Sequence, residues 1–156
     1  MEKKILFVDY YLTFFKETAF FNLFGNRNFN EKEGLIIEPF IEGNYQKYIS
    51  NTHWFNENTE KIIPYFMHWN WAYSKGEKLV TDIQGVSYKD KIILTDPAIQ
   101  SINKLYGNTD LGAEGFIYFL SRHEHNEYCK SLPWPNDKEI KRIKKASRCL
   151  HMKRSY

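Results

Sequence analysis

The sequence predicts an α+β domain pinned by a metal ion, and three observations carry that expectation. Some segments repeat apolar residues at helical spacing while others are short β-rich runs, so helices and strands are both expected. His123, His125 and Cys129 stand close together, the ligand types and spacing of a zinc site. Asp82 and Asp96 fall at the ends of β-type runs, before a Gly or Pro that turns the chain, a placement suited to active-site carboxylates. Together they suggest phosphoryl transfer on a zinc-stapled fold.

The size and composition fit one packed unit. The chain has 156 residues, of which 17% are aromatic, enough to bury a core of its own. The net charge of +3 is uneven, because the segment from Lys138 onward carries the excess. Such a basic tail reads first as a solvated helix face, with an acidic partner, anionic lipid or nucleic acid as the alternatives; nucleic acid is not expected. Two cysteines, Cys129 and Cys149, are too few for a disulfide framework, which points to a reducing compartment. Asp9 and Lys16 interrupt the apolar N-terminal run, and no segment reaches the roughly 18 apolar residues of a membrane span. A cytoplasmic location is the expectation.

In chain order, Leu12, Phe15, Ala19 and Leu23 predict an amphipathic helix over 8–24, closed by Gly25 and Asn26. Residues 35–41 predict a short strand with Pro39 interrupting its end. A helix is expected over 59–73, capped by Asn58 or Thr59 and holding His68 among Phe66, Trp69 and Trp71. Two hairpin-like strands come next at 78–86 and 92–95. After a loop at 107–112 comes a helix over 113–122, then Pro133 and Pro135 break the chain before a basic terminal helix.

Three constellations carry chemistry. His123, His125 and Cys129 supply three zinc ligands and His68 is the candidate fourth; the alternative is an ordinary surface or core cluster. Asp82 and Asp96, with Gln84 on the same side of the strand as Asp82, suit magnesium and a substrate hydroxyl; the alternative makes Asp96-Pro97 a turn and Asp82 a strand-end cap. Gly107 and Gly112 permit the positive backbone angles of an anion-binding turn, although Asp110 would repel an anion, and an ordinary loop into a helix fits equally. His53 and His151 have no partner at ligand spacing, and Ser147 in K-K-A-S-R matches a phosphorylation site.

With these motifs in hand, the stretch from about Leu35 to Leu132 resembles the alpha-kinase family of atypical protein kinases. I-E-P-F-I-E-G-N-Y-Q-K-Y resembles the family's hinge, which implies that Glu38 to Phe40 hold adenine, that Lys47 contacts nucleotide, and that Asn51 lies in the Asn-rich turn. T-D-I-Q-G-V resembles the family's D-L-Q-G-V, making Asp82 the catalytic aspartate and Gln84 a magnesium or phosphate contact; Asp96 in L-T-D-P matches the metal-binding aspartate. His68, His123, His125 and Cys129 match the zinc ligands, with His125 where the family usually has Cys. The stretch from Gly107 to Gly115, including Asp110 and Gly112, resembles the substrate-seating loop, with Thr109 and Asp110 replacing Gly and Asn.

The resemblance implies an alpha-kinase C-terminal lobe with structural Zn2+, using Mg2+ and ATP on a protein Ser/Thr substrate. The family's N-terminal lobe needs on the order of 100 residues before the hinge, so the implied division is a partial N-lobe at 1–43, a C-lobe at 44–135 and a basic tail at 136–156. Its alternative is a non-catalytic, zinc-stapled binding or regulatory module.

Overall fold

A computed structural model describes residues 3–16, 19–21, 27–29 and 33–153. The elements in chain order are β1 (Lys4–Phe7), β2 (Tyr11–Phe14), β3 (Ala19–Phe21), β4 (Arg27–Phe29), β5 (Gly34–Ile37), β6 (Tyr45–Ile49), α1 (Ile62–Tyr73), β7 (Lys78–Thr81), β8 (Ile83–Ser87), β9 (Lys91–Thr95), β10 (Ala98–Ser101), α2 (Ala113–Arg122), a short 3-10 helix (Glu127–Ser131) and α3 (Asp137–Lys153).

The principal sheet runs β1-β9-β8-β6. β8 and β9 form the expected hairpin, closed by Tyr88 N–H donating to the Lys91 carbonyl at 2.8 Å. Gly85 makes that pairing possible: a Cβ there would lie 2.0 Å from the Ile93 carbonyl oxygen, and its φ of +152° is poorly suited to a side chain. β6 flanks β8 antiparallel, and β1 runs parallel to β9. A second, two-stranded sheet joins β7 to β10.

Beneath the principal sheet, α1 buries Ile63, Met67, His68 and Trp71, and α2 buries Phe116 and Phe119. They meet Ile83, Ile92 and Leu94 from the sheet and Ile143 from α3 in one apolar cluster. Each such side chain contributes about 1.5–3 kcal/mol by leaving water, so this cluster is what fixes the strand ends above it.

Several sequence expectations are corrected. The helix over 8–24 is not formed: Tyr11–Phe14 is a strand paired with Gly34–Ile37, and Ala19–Phe21 a strand paired with Arg27–Phe29. Aromatic and β-branched residues dominate Y-Y-L-T-F-F and fit a pleated surface better than a helix; the expected Gly25–Asn26 cap lies outside the described residues. The cap of α1 is also different. Lys61 occupies the N-cap with no side-chain capping bond, while the Thr59 hydroxyl donates to the Tyr48 carbonyl at 3.0 Å. The strand expected over 78–86 is cut at Asp82, whose φ is 57°; Thr81 therefore belongs to one sheet and Ile83 to the other.

Candidate active site and metal centre

The break at Asp82 places its carboxylate at the edge of the principal sheet, where the Lys47 ammonium on β6 approaches to 2.7 Å. Asp96, just past β9, also has a left-handed backbone at φ 44°. Gln84 donates from Nε2 to the Asp96 carbonyl at 3.3 Å. The strand alternation expected to align Asp82 with Gln84 does not apply, because Asp82 is outside the strand; the β6–β8–β9 register instead sets Lys47, Gln84 and Thr95 in one row. Thr95 donates its hydroxyl to the Glu38 carboxylate. Tyr45, two residues before Lys47 on the same strand, has its phenol pKa raised by burial and next by Asp96.

Those groups form an open face carrying one cation, three carboxylates, an amide and a phenol. Phe40 is 89% exposed beside it. The charges suit a polyanion bound through cations bridging to Asp82 and Asp96, with Lys47 as a direct partner.

The loop from Gly107 to Gly112 is organised from within. Both glycines have positive φ, 82° and 71°. Asp110 is 1% exposed, and its carboxylate accepts from the backbone N–H groups of Ser101, Tyr106 and Gly112 and from the Ser101 hydroxyl. It is a brace for the loop rather than an exposed charge at its surface, its carboxylate held by these four donors. Asn51 docks onto the same loop: its amide donates to the Thr109 carbonyl at 2.7 Å, and its side-chain oxygen accepts from Thr81 and Gln100. Sequence reading missed Thr81 and Gln100, since their partners lie far away along the chain and neither residue sits in a recognisable motif.

On the other side of the core, His68, His123, His125 and Cys129 come together with their ligand atoms all within 4.8 Å of one another. α1 supplies His68, the end of α2 supplies His123 as its C-cap, and the 3-10 helix supplies buried Cys129. The His68 Nε2 lies 2.8 Å from the Pro133 carbonyl, a bond that requires the proton on Nε2 and leaves the buried Nδ1 with its lone pair and no partner among the described residues. A backbone carbonyl fixing the second nitrogen in this way is the usual support of a metal-bound histidine. His123 Nδ1 is likewise buried without a partner among the described residues. Burial, and next the neighbouring imidazoles, hold the His123 pKa down at about 3, so the ring is in the neutral form that ligates. Trp134 covers the cluster, its ring centroid 4.8 Å from His125 and 5.8 Å from His123. The donor set and spacing fit a closed tetrahedral zinc site.

A family profile matches residues 1–129, and its family is the alpha-kinase family. The chain belongs to the alpha-kinase family. The match begins at residue 1, well before the region around Leu35 where the sequence resemblance starts. Among its relatives, the alpha-protein kinase vwkA of Dictyostelium discoideum is 44% identical over 98 residues, covering 62% of this chain and 16% of that protein. Human transient receptor potential cation channel subfamily M member 6 is 34% identical over 113 residues, covering 65% of this chain and 5% of the channel.

The solved structures agree on the fold. An alpha kinase from Entamoeba histolytica superposes with a TM-score of 0.70 at 32% identity, covering 88% of this chain and 56% of that one. The inactive alpha-kinase domain of myosin heavy chain kinase A, solved in complex with ATP, superposes with a TM-score of 0.70 at 26% identity, covering 85% and 50% respectively. This chain therefore spans about half the length of those solved domains and a small part of the curated relatives. Among the described residues, no helix is long and apolar enough to cross a membrane.

Proposed function

We propose that this alpha-kinase family member transfers the γ-phosphate of ATP to a serine or threonine hydroxyl of a protein. The observation that carries the reading is the face around Asp82, Gln84 and Asp96 with Lys47 2.7 Å from the Asp82 carboxylate. Glu38 and Phe40 border the adenine end, and Lys47 meets the phosphates. Asp96 and Gln84 hold the magnesium edge, where Mg2+ supplies neutralisation of phosphate charge when bound. Asp82 orients the acceptor hydroxyl and takes its proton. For that role it must exchange its pairing with Lys47 for the substrate, and a nucleotide phosphate drawing Lys47 away provides the exchange. Asn51 keeps the loop from Gly107 to Gly112 against β7 and β10, so that the loop presents the protein substrate.

His68, His123, His125 and Cys129 hold a structural Zn2+, with His125 in place of the family's usual thiolate. Imidazole and thiolate are both good zinc ligands, and the unpartnered Nδ1 atoms of His68 and His123 support the assignment.

One observation favours a second reading, a non-catalytic zinc-stapled binding or regulatory module. Phe40 at 89% and Tyr45 at 50% exposure are open to water on the Asp82 face, whereas His68 and Cys129 of the proposed metal site are buried. Phosphate transfer from ATP to a basic acceptor protein separates the two. The kinase reading expects magnesium-dependent transfer reduced by at least about a hundredfold in Asp82→Ala, the scale of losing a general base. Transfer absent in the zinc-loaded, folded chain supports the module.

A further inference from the structure

α3 is built as a one-sided helix with two opposite uses. Ile143 and Ala146 pack into the core, with Ile143 4% exposed, and Ile140 lies beside Ile117 and Leu120 of α2. At 100° per residue, Lys138, Lys141, Lys145 and Arg148 fall on the opposite side and form one stripe about 15 Å long; all four are exposed. Lys144 and Arg142, also exposed, flank the stripe on its two sides. None of the ion pairs found among the described residues engages any of these six cations. Like charges at three- and four-residue spacing repel and weaken a helix, and Lys138 stands near the helix N-terminus, where a cation is least favourable. The contrast extends over the molecule: residues 1–137 contain 14 Lys and Arg against 18 Asp and Glu, so the positive excess is confined to residues 138–156.

The flanks of the stripe narrow its partner. On one side, Arg142 borders a cleft of about 270 Å³ with Ile102, Leu105 and Tyr106 in its wall beside Glu77 and Lys78. On the other, Lys144 borders a second cleft of about 270 Å³ walled by Ile117, Leu120 and Trp134. Each cleft sets a cation beside apolar side chains. A bilayer headgroup layer would leave both clefts empty, and the apolar side of α3 is already used against α2, so it has nothing to insert. A phosphate backbone would likewise use the stripe without filling the clefts. A polypeptide with carboxylates alternating with apolar side chains uses both.

We propose that the outer face of α3, with its two bordering clefts, is a docking site for an acidic polypeptide segment whose Glu or Asp residues alternate with Leu or Phe. Carboxylates pair with Lys138, Lys141, Lys145 and Arg148, while apolar residues enter beside Leu105 and Trp134. The site is separate from the Asp82 face and does not depend on phosphoryl transfer.

Fluorescence anisotropy of a dye-labelled peptide of repeated Glu-Leu-Asp-Phe units, titrated with the full chain at physiological salt, tests this. Controls are the same peptide with Ser for Leu and Phe, a short DNA duplex, and phosphatidylcholine vesicles containing phosphatidylserine. Expected is micromolar binding of the first peptide, weakened about tenfold or more by Lys141→Glu with Lys145→Glu, as for loss of paired charges, and also weakened by Leu105→Ser. Both variants change exposed side chains, so circular dichroism should match the parent. Absence of binding, equal binding of the Ser peptide, or tighter binding of DNA or vesicles overturns the proposal.

Discussion

Asp82 and Asp96 share an uncommon backbone, with φ of 57° and 44°. Aspartate tolerates this region better than most residues, and at both positions it turns the chain at a strand end. Asp82 ends the β7 sheet and starts the β8 sheet in a single step, which brings its carboxylate to Lys47. His53 is a third left-handed residue, at φ 59°, and is 1% exposed with neither ring nitrogen bonded among the described residues. Burial, and next the Arg122 guanidinium, hold its pKa down at about 4. The unfolded chain, with an ordinary imidazole near 6.5, therefore binds a proton that the folded chain refuses. Stability contributed by neutral His53 is present above that value and is lost as pH falls towards 4, by roughly 3 kcal/mol in all. Urea unfolding of zinc-loaded protein from neutral to acid pH should show a shallower loss in His53→Leu than in the parent. Parallel curves would mean that another group sets the acid limb.

At the scale of elements, His68, His123, His125 and Cys129 bring α1, the end of α2 and the 3-10 helix together, which are also joined by the ring contacts of Phe119 and Trp134 and by the Lys61–Glu127 ion pair. Chelation of zinc should lower the melting temperature by on the order of 10 °C or more, because binding energy at such a site is folding energy. Cys129→Ala should reproduce the effect. A melting curve unchanged by chelation and by the substitution would remove zinc from the stability of the fold. The elements most legible in the sequence were those with a strong internal period: α2 appears over Ala113–Arg122 as expected, and α1 begins a few residues later than expected. The short strands were harder. β1, β6 and β10 each have four or five residues. Their identity lies in distant partners, Lys4 with Lys91 and Ile49 with Ile83, or across a second sheet, Ala98 with Thr81, which local patterning does not encode. The misread helix over 8–24 has the same origin, since apolar residues at mixed spacing satisfy either period until a partner strand decides.

At the scale of the whole molecule, the gathering of His68, His123, His125 and Cys129 was legible because zinc chemistry restricts both residue type and spacing. Asp82 and Asp96 were legible as strand-end positions, although the turn at Asp82 is made by its own left-handed backbone and Gly85 lies within β8. The loop network of Asn51, Thr81, Gln100 and Asp110 was only partly legible, since ordinary polar residues acquire their roles through tertiary contact. On the proposed reading, the face around Asp82, Gln84 and Asp96 takes the nucleotide and the cluster of His68, His123, His125 and Cys129 holds zinc. Titration calorimetry of ATP with magnesium into the zinc-loaded chain, with Asp96→Ala alongside, tests the central claim most directly. Magnesium-dependent binding that is lost in the variant is the predicted result; a folded, zinc-containing chain that takes up no ATP would contradict it.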